Sequence, residues 1–222
     1  MEASGLTLHD APRIRGTLAV RGVSLVAGLF LFGLGIVLLL ESGLGLSPWD
    51  VLNQGIARHS PLSFGAANVA VALLVLGIAW RLGARIGAGT VANAFLIGLF
   101  VDLLLRVDAV NGLATASLVA RVALLVAGTV IVGIGSAFYI GAALGAGPRD
   151  SLMLVLARRS GRRIGLVRAL IEVSVTLIGF AFGGTVGIGT LVFAFGIGPA
   201  VEAAFWLLAR SPLVTPQTKL GA

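Results

Sequence analysis

The chain has 222 residues, of which 58% are hydrophobic and 11% are charged, and its formal net charge is +7. An ordinary soluble domain is roughly 45 to 50% apolar and about 25% charged, so this composition excludes a water-soluble globular protein and predicts an integral membrane protein. The arginines stand in short gaps between apolar runs and not on one polar face, which argues against a nucleic-acid-binding domain.

Six apolar runs, taken in chain order, are long enough to cross a bilayer as helices, since a span needs about 20 residues. None shows the alternation of a barrel strand. We therefore predict an all-α membrane domain over residues 17–208, with cytoplasmic tails at 1–16 and 209–222. The six predicted spans are about 17–41, 63–82, 87–106, 117–141, 164–183 and 187–208.

The basic residues are divided unevenly between the two sides that these spans define. If the N-terminus is cytoplasmic, 13 of the 16 lysines and arginines lie on the inner side, and only Arg58, Arg106 and Arg121 lie outside. Cytoplasmic loops of membrane proteins carry the excess of Lys and Arg. This asymmetry predicts an even number of spans, with both termini in the cytoplasm.

The second half of the sequence repeats the first at an offset of 100 positions. Apolar bias alone would not keep glycine, proline and acidic residues in one register without a gap. Each unit holds three predicted spans, an odd number, so consecutive units enter the membrane in opposite senses. We therefore predict two inverted-topology repeats, about 17–108 and 117–208, an architecture found in many secondary transporters. The paired residues include Pro48 and Pro148, Asp50 and Asp150, Gly65 and Gly165, Gly98 and Gly198, and Asp102 and Glu202.

A short segment that starts with proline follows the first span of each repeat. In the first copy, Ser47 can be an N-cap, Pro48 suits the first helical position and Asp50 can complete a capping box. The segment predicts a helix of about ten residues, too short to cross. It either dips into the membrane as a half-span whose N-terminal end contacts a substrate or ion, or lies at the interface with Trp49 toward lipid and Arg58 toward water.

Ionisable residues inside the predicted spans are candidates for coupling or ion pairing, because a charge in hydrocarbon is costly and tends to face a cavity or a partner. Arg168 and Glu172 are one helical turn apart and can pair, which fits either a structural ion pair or proton coupling. Asp102 has Arg106 one turn later and is expected to form a structural pair. Glu202 has no such partner and follows a proline that should kink its helix.

Other polar residues are candidates for substrate binding or gating. For Asn68 and Asn93, hydrogen bonding between helices is the commoner use. The candidates are Ser47, Pro48, Trp49 and Asp50 at the start of the first short segment, Asn53 and Gln54 within it, Asn68 and Asn93 in the second and third spans, and Pro148 and Asp150 in the second short segment.

The chain contains no cysteine and two histidines, His9 and His59, which lie far apart and outside the apolar runs. A disulfide framework and a thiolate metal site are therefore excluded. The spans also contain no Ser-His constellation and no cluster of His and Asp. We predict no metal and no other cofactor, and we do not expect an enzyme.

Two segments carry a resemblance to a known family. The stretch Gly43-Leu-Gly-Leu-Ser-Pro-Trp-Asp50 and the stretch Gly87-Ala-Gly-Thr-Val-Ala-Asn93 resemble the bacterial YczE/YyaS/YitT family of small integral membrane proteins, and the similarity covers about residues 17–208. In the second repeat Pro-Arg-Asp replaces Pro-Trp-Asp, as expected of a diverged copy. The resemblance implies a multi-pass protein of the bacterial inner membrane and supplies no catalytic residues.

The leading hypothesis is a small secondary transporter or exporter of a small polar or amphipathic solute, working by alternating access between the repeats. Asp50 and Asp150 would set the gating helices, and Glu172 or Glu202 would exchange a proton. The alternative is a non-transporting membrane subunit or scaffold, such as a substrate-capturing component of a larger importer, or a lipid scramblase. An acidic protein partner or anionic lipid could then dock on the basic loop, whose arginines are Arg158, Arg159, Arg162 and Arg163.

Overall fold

The computed structural model describes residues 12–107 and 117–214, and these contain eight α-helices and no strand. The predicted all-helical membrane class is thereby confirmed. The helices are α1 (Leu18–Ser42), α2 (Pro48–Arg58), α3 (Phe64–Arg81), α4 (Ala88–Leu104), α5 (Leu118–Gly141), α6 (Pro148–Ser160), α7 (Ile164–Ala181) and α8 (Ile188–Arg210).

Within the described residues, five of these helices, α1, α3, α5, α7 and α8, are long and apolar enough to cross a membrane. The third predicted span corresponds to α4, an apolar helix of 17 residues. At 1.5 Å per residue α4 is about 26 Å long, which is at the lower limit for a hydrocarbon core of roughly 30 Å. All six predicted spans therefore appear as helices, and five of them meet the length of a span.

The short helices α2 and α6 begin where the sequence places them, at Pro48 and Pro148. Ser47 caps α2, since its Oγ accepts a hydrogen bond from the backbone N–H of Asp50 at 3.3 Å. Gly147 precedes α6 and offers no side-chain cap. Proline suits the first position of each helix because that N–H has no intrahelical partner in any case.

The centre of the molecule is the antiparallel pair of α1 and α5. Gly28 lies against the carbonyl oxygen of Gly135, and Gly35 lies against that of Gly128, so positions rise along one helix as they fall along the other. A Cβ on Gly35 would lie 2.5 Å from Val132 Cγ2 and 2.8 Å from the Gly128 carbonyl oxygen. Glycine at these positions therefore allows the two backbones to approach closely.

Contacts between the two halves of the chain occur in reciprocal pairs. For each bond in which the first half donates to the second, an equivalent bond runs from the second half to the first, between residues whose numbers differ by 100. Such reciprocity is typical of an isologous interface. The bonds run from Arg21 Nε to the Ala142 carbonyl oxygen (2.7 Å), from Arg121 Nε to that of Ser42 (2.7 Å), from Gly89 N to that of Leu144 (2.9 Å) and from Gly189 N to that of Leu44 (2.8 Å).

The short helices pack across the halves, α2 against α7 and α6 against α3. α4 packs on α1 and α3, and α8 packs on α5. By contrast, α7 and α8 make at most marginal contact with each other along their described lengths. Large apolar side chains cover the outside, for example Phe195 at 81% and Val119 at 80% exposed, and such a surface suits contact with lipid.

The two ends of the described chain lie together. Ile14 N donates to the Gly141 carbonyl oxygen at 2.9 Å, and Arg15 N donates to that of Leu213 at 2.7 Å. Ile14 also forms an isolated antiparallel bridge with Val214. Most of the predicted tails, residues 1–11 and 215–222, lies outside the described residues.

Candidate functional site

A cavity of about 850 Å³ lies between the two halves of the chain, and all eight described helices contribute residues to its wall. The wall is mostly apolar. Its larger apolar side chains include Phe32 of α1, Ile97 of α4, Val132 of α5, and Phe193 and Ile197 of α8. This volume is within the range of small-molecule sites, which are roughly 300 to 1,000 Å³.

The cavity brings together most of the polar residues that the sequence analysis selected. Residues from α2, α3, α4, α6, α7 and α8 are among them, so their meeting depends on the packing of both halves. The selected residues in the wall are Ser47, Pro48, Trp49, Asp50, Asn68, Asn93, Pro148, Asp150, Arg168, Glu172 and Glu202.

The N-terminal turns of both short helices face this cavity. Pro48 and Pro148, the first residues of α2 and α6, line it. Trp49, which the interfacial alternative placed toward lipid, is only 6% exposed and lies in the same wall. A helix N-terminus presents unpaired N–H groups and the positive end of the helix dipole, so two such ends point to the cavity from opposite halves.

Each of the paired aspartates has its own hydrogen-bond donor. The Ser47 hydroxyl donates to Asp50 Oδ2, and Asn53 Nδ2 donates to Asp50 Oδ1 at 3.4 Å. In the second half the Tyr139 hydroxyl donates to Asp150 Oδ2 at 2.7 Å. The two carboxylates are therefore held in place by different partners, a serine and an asparagine in one copy and a tyrosine in the other.

Arg149 links the two short helices. Its guanidinium carbon lies 5.1 Å from the centroid of the Trp49 ring, a cation–π distance. Among residues 12–107 and 117–214, its nitrogens make no hydrogen bond and no salt bridge. Two buried donors of the same wall also lack a hydrogen-bond partner within the described chain: Trp49 Nε1 and Asn68 Nδ2.

The expected pair of Arg168 and Glu172 is present, with Nε 2.8 Å from Oε1. It is the only salt bridge within the described part of the chain, so the ion pair expected between Asp102 and Arg106 is absent there. Asp102 instead accepts hydrogen bonds from Ser63 Oγ at 2.5 Å and from Gly65 N at 2.8 Å. The carboxylate thus accepts hydrogen bonds at the N-terminus of α3, where backbone N–H groups have no partner within the helix.

Two further selected residues lie outside the cavity wall. Asn53 is fully buried and donates to Asp50 from behind it. Gln54 Oε1 accepts from the backbone N–H of Thr185 at 2.7 Å and so fastens α2 to the segment that follows α7. Arg58 donates to the Gly183 carbonyl oxygen in the same segment.

The line along which α3 and α4 meet, which we call a seam, is closed. A Cβ on Gly65 would overlap the carbonyl oxygen of Gly98, and one on Gly98 would overlap that of Gly65. Asp102 adds its hydrogen bonds to the start of α3 across this seam. The cavity residues behind it, among them Asn68 at 2% and Ile97 at 5% exposed, are buried.

The equivalent seam between α7 and α8 is open. An added Cβ on Gly165 or Gly198 would meet nothing within 4 Å. Glu202, the counterpart of Asp102, is exposed and makes no hydrogen bond to any described residue, and α7 begins without a side-chain cap at Arg163. The cavity reaches the surface here, since the wall residues Gly165, Arg168 and Glu202 are exposed.

Residues 19–205 match the model of a family described as "Family of unknown function (DUF6198)". The chain belongs to this family. It is 37% identical over 189 residues to an uncharacterised protein of Haemophilus influenzae, a match that covers 85% of this chain and 84% of that protein. No solved structure matches the chain.

Two Bacillus subtilis proteins confirm the resemblance to YczE and YyaS. The uncharacterised membrane protein YczE is 32% identical over 181 residues, covering 80% of this chain and 81% of that protein. The uncharacterised protein YyaS is 32% identical over 167 residues, covering 74% and 82%. A multi-pass membrane protein is thus supported by the relatives and by the apolar helices together.

In this family member, sequence reasoning missed two residues of the cavity wall, Tyr139 and Arg149. Tyr139 is the only tyrosine of the chain and interrupts an apolar run, a signal that was available. Arg149 directly follows Pro148, and its charge in the first turn of a short helix was the signal that could have identified it as a cavity residue. Among the described residues no three His, Asp or Glu side chains lie close enough together to hold a metal.

Proposed function

We propose that this protein is a small secondary transporter or exporter that moves a solute by alternating access between two inverted repeats. The observation that carries the proposal is the central cavity, which is closed at the seam of α3 and α4 and open at the equivalent seam of α7 and α8. A transporter requires a site with two such exits, of which one is open at a time.

Two features support the inverted repeat. α1 and α5 are antiparallel at the centre, and they occupy the same place in each half. The hydrogen bonds between the halves are reciprocal at positions 100 apart. With α4 counted as the sixth span, each unit has three spans and the units enter the bilayer in opposite senses.

The closed seam serves as a template for the opposite state. In that state α7 would approach α8 until Gly165 meets Gly198, as Gly65 now meets Gly98. Glu202 would then lie at the N-terminus of α7, as Asp102 now lies at that of α3. Because the repeat relates the two seams, the contacts of Asp102 would break as those of Glu202 form.

Glu202 is the better candidate for proton coupling. Glu172 is held by Arg168 at 2.8 Å, whereas Glu202 has no hydrogen bond within the described chain and changes its surroundings when the seam closes. An acid that moves from an exposed to a buried position must gain a proton or a partner. Because cytoplasmic loops carry the excess of Lys and Arg, we expect the open seam, which lies beside the basic loop before α7, to face the cytoplasm.

The test uses the absence of native cysteine. Ser136→Cys puts one nearly isosteric thiol in the cavity wall, and a membrane-impermeant thiol reagent is applied to whole cells and to inside-out vesicles. We expect labelling from both sides, because the protein alternates. Gly165→Leu should leave labelling from the inside intact and abolish labelling from the outside, since its side chain fits the open seam but prevents closure.

Gly77→Leu is the matched control, because Gly77 also has nothing within 4 Å of an added Cβ but lies away from the seam. At the equivalent position of the second half, 100 residues later, the chain itself has a leucine, Leu177. If Gly165→Leu and Gly77→Leu label equally from outside, alternating access at this seam is wrong.

The alternative remains a non-transporting subunit that docks an acidic partner. Its supporting observation is that Arg158, Arg159, Arg162 and Arg163 are all exposed on one loop and helix end. Co-purification of a second protein, lost on Arg162→Ala with Arg163→Ala, would favour this function. A lipid scramblase would use the same open seam, and dithionite bleaching of labelled lipid in proteoliposomes would reveal it.

A further inference from the structure

Three hydrogen-bond donors line the cavity without an acceptor from the described chain. Trp49 Nε1 and Asn68 Nδ2 have no partner within the described chain, although their residues are only 6% and 2% exposed. Arg149 lies beside Trp49, with its guanidinium over the Trp49 ring. We call Trp49, Asn68 and Arg149 the donor cluster. Buried polar groups nearly always have a partner, so the missing acceptor is expected to come from a ligand.

Three of the four carboxylates in the cavity wall accept hydrogen bonds from neighbouring side chains. Asp50 accepts from Ser47 and Asn53, Asp150 accepts from Tyr139, and Glu172 accepts from Arg168. The unpartnered donors of the cluster require acceptor atoms such as oxygen, and the N-terminal turns of α2 and α6 also favour acceptors.

The charge of the wall limits which acceptors fit. Four acids, Asp50, Asp150, Glu172 and Glu202, line the cavity with two arginines, Arg149 and Arg168. The formal excess of acids opposes a multiply charged anion such as inorganic phosphate. A neutral carbonyl meets the donors without this opposition, a single carboxylate meets less of it than phosphate does, and the apolar wall accommodates a hydrocarbon body.

We propose that the donor cluster binds the carbonyl or carboxyl oxygen of a small amphipathic solute whose apolar body lies against α4, α5 and α8. This rests on the proposed function only in taking the cavity as the transport site. Arg149 and Trp49 come from opposite halves, so the acceptor is held where the two repeats meet. Ligand binding therefore joins α2 to α6 through one oxygen-bearing group.

Probes with a common six-carbon chain test the proposal. Trp80 and Trp206 are exposed, and replacing both by Phe leaves Trp49 as the only tryptophan. The protein is placed in lipid nanodiscs, and Trp49 fluorescence is titrated with hexanamide, hexanoate, hexylammonium and inorganic phosphate. We expect saturable changes with hexanamide and hexanoate, and at least ten-fold weaker binding of hexylammonium. Equal or tighter binding of hexylammonium, or binding of phosphate, would overturn the assignment.

The variants Arg149→Gln and Asn68→Leu should each weaken hexanoate binding, the former about ten-fold because a charge-assisted bond is lost. Arg149→Lys keeps a donor and a charge and should restore part of the affinity. Arg81→Gln, an exposed arginine at the end of α3, is the matched control and should bind as the parent does. Unchanged affinity in both Arg149→Gln and Asn68→Leu would show that the donor cluster is not the site.

A carbonyl could also be carried by a lipid that enters between α7 and α8. The titration is therefore repeated in nanodiscs of ether lipids, which have no ester carbonyl. Weaker hexanamide binding in ester lipids identifies a lipid acyl group as the competing occupant, and equal binding identifies a soluble solute. Binding is measured without any change of access, so it can persist in Gly165→Leu even where alternating access has failed.

Discussion

The Tyr139 hydroxyl ties the central helix α5 to the short helix α6. It is 5% exposed and donates to Asp150 at 2.7 Å. The two residues are eleven positions apart, and no helical spacing predicts their contact. By contrast, the spacing of Arg168 and Glu172 on one helix predicted their salt bridge. At the scale of the residue, the spacing on one helix predicted this salt bridge, whereas nothing in the sequence predicted the contact of Tyr139 with Asp150.

Tyr139→Phe should destabilise the protein. Loss of the hydroxyl removes a buried donor from a carboxylate, so we expect the free energy of unfolding to fall by about 1 to 3 kcal/mol. Thermal unfolding in detergent measures this. Ser136→Ala is the control, since that hydroxyl only bonds to the Val132 carbonyl oxygen in its own helix. Equal stability of the two variants would mean that the bond to Asp150 contributes nothing.

The hydrogen bonds of Asp102 show that packing between helices can override an ion pair predicted from local spacing. Arg106 is one turn away on the chain, yet the carboxylate bonds to Ser63 and Gly65 at the start of another helix. Buried N–H groups at a helix start are obligatory donors, whereas an arginine near a helix end can reach water. The sequence offered both partners, and the position of α3 decided between them.

At the scale of the element, helix bounds follow local signals closely. The predicted spans agree with the observed helices to within two residues at each end, because proline, serine caps and charged residues interrupt the apolar runs. Whether α2 and α6 dip into the molecule or lie at its surface was left open by the sequence. That position depends on α7 and α3, the helices of the opposite half on which they pack.

Gly35→Ala should weaken the pair of α1 and α5. Its Cβ would lie 2.5 Å from Val132 Cγ2 and 2.8 Å from the Gly128 carbonyl oxygen, so the helices must separate. Overpacking of this kind costs about 1 to 3 kcal/mol, and the melting temperature in detergent should fall. Gly77→Ala, with nothing within 4 Å of its Cβ, should be neutral or slightly stabilising. A similar melting temperature for both variants would contradict close packing at Gly35.

At the scale of the whole molecule, the two halves bond to each other reciprocally, but their internal packing differs. The seam of α3 and α4 is closed, and that of α7 and α8 is open, although glycines and an acid recur at both. The repeat in the sequence predicts equivalence of the two seams. It cannot predict which of them is closed in a given state, because both arrangements use the same residues.

The two termini should report from the same compartment. Ile14 and Val214 form a bridge, so these two residues near the ends of the described chain lie on one face, and by the positive-inside rule we expect that face to be cytoplasmic. Green fluorescent protein fused at either end should fluoresce, and alkaline phosphatase at either end should be inactive. Phosphatase inserted after Ser60 should be active. Opposite results at the two termini would contradict an even number of spans.

The amino-acid sequence by itself determines the membrane class, the helix bounds and the register between the two halves. These follow from composition, from the length a bilayer requires and from signals that act within one helix. Most polar residues of the cavity wall could also be predicted, since polar groups in apolar runs are costly unless they meet a partner.

Only the tertiary structure decides which polar groups share the cavity and which turn to other partners. Asp50 and Asp150 face it, whereas Gln54 and Asp102 bond to neighbouring segments and Asn53 bonds to Asp50 within its own helix. The physical reason is that each choice depends on donors and surfaces brought in from other helices, often from the opposite half. The open seam of α7 and α8 is also decided only by the tertiary structure, because it is a property of packing and not of any single segment.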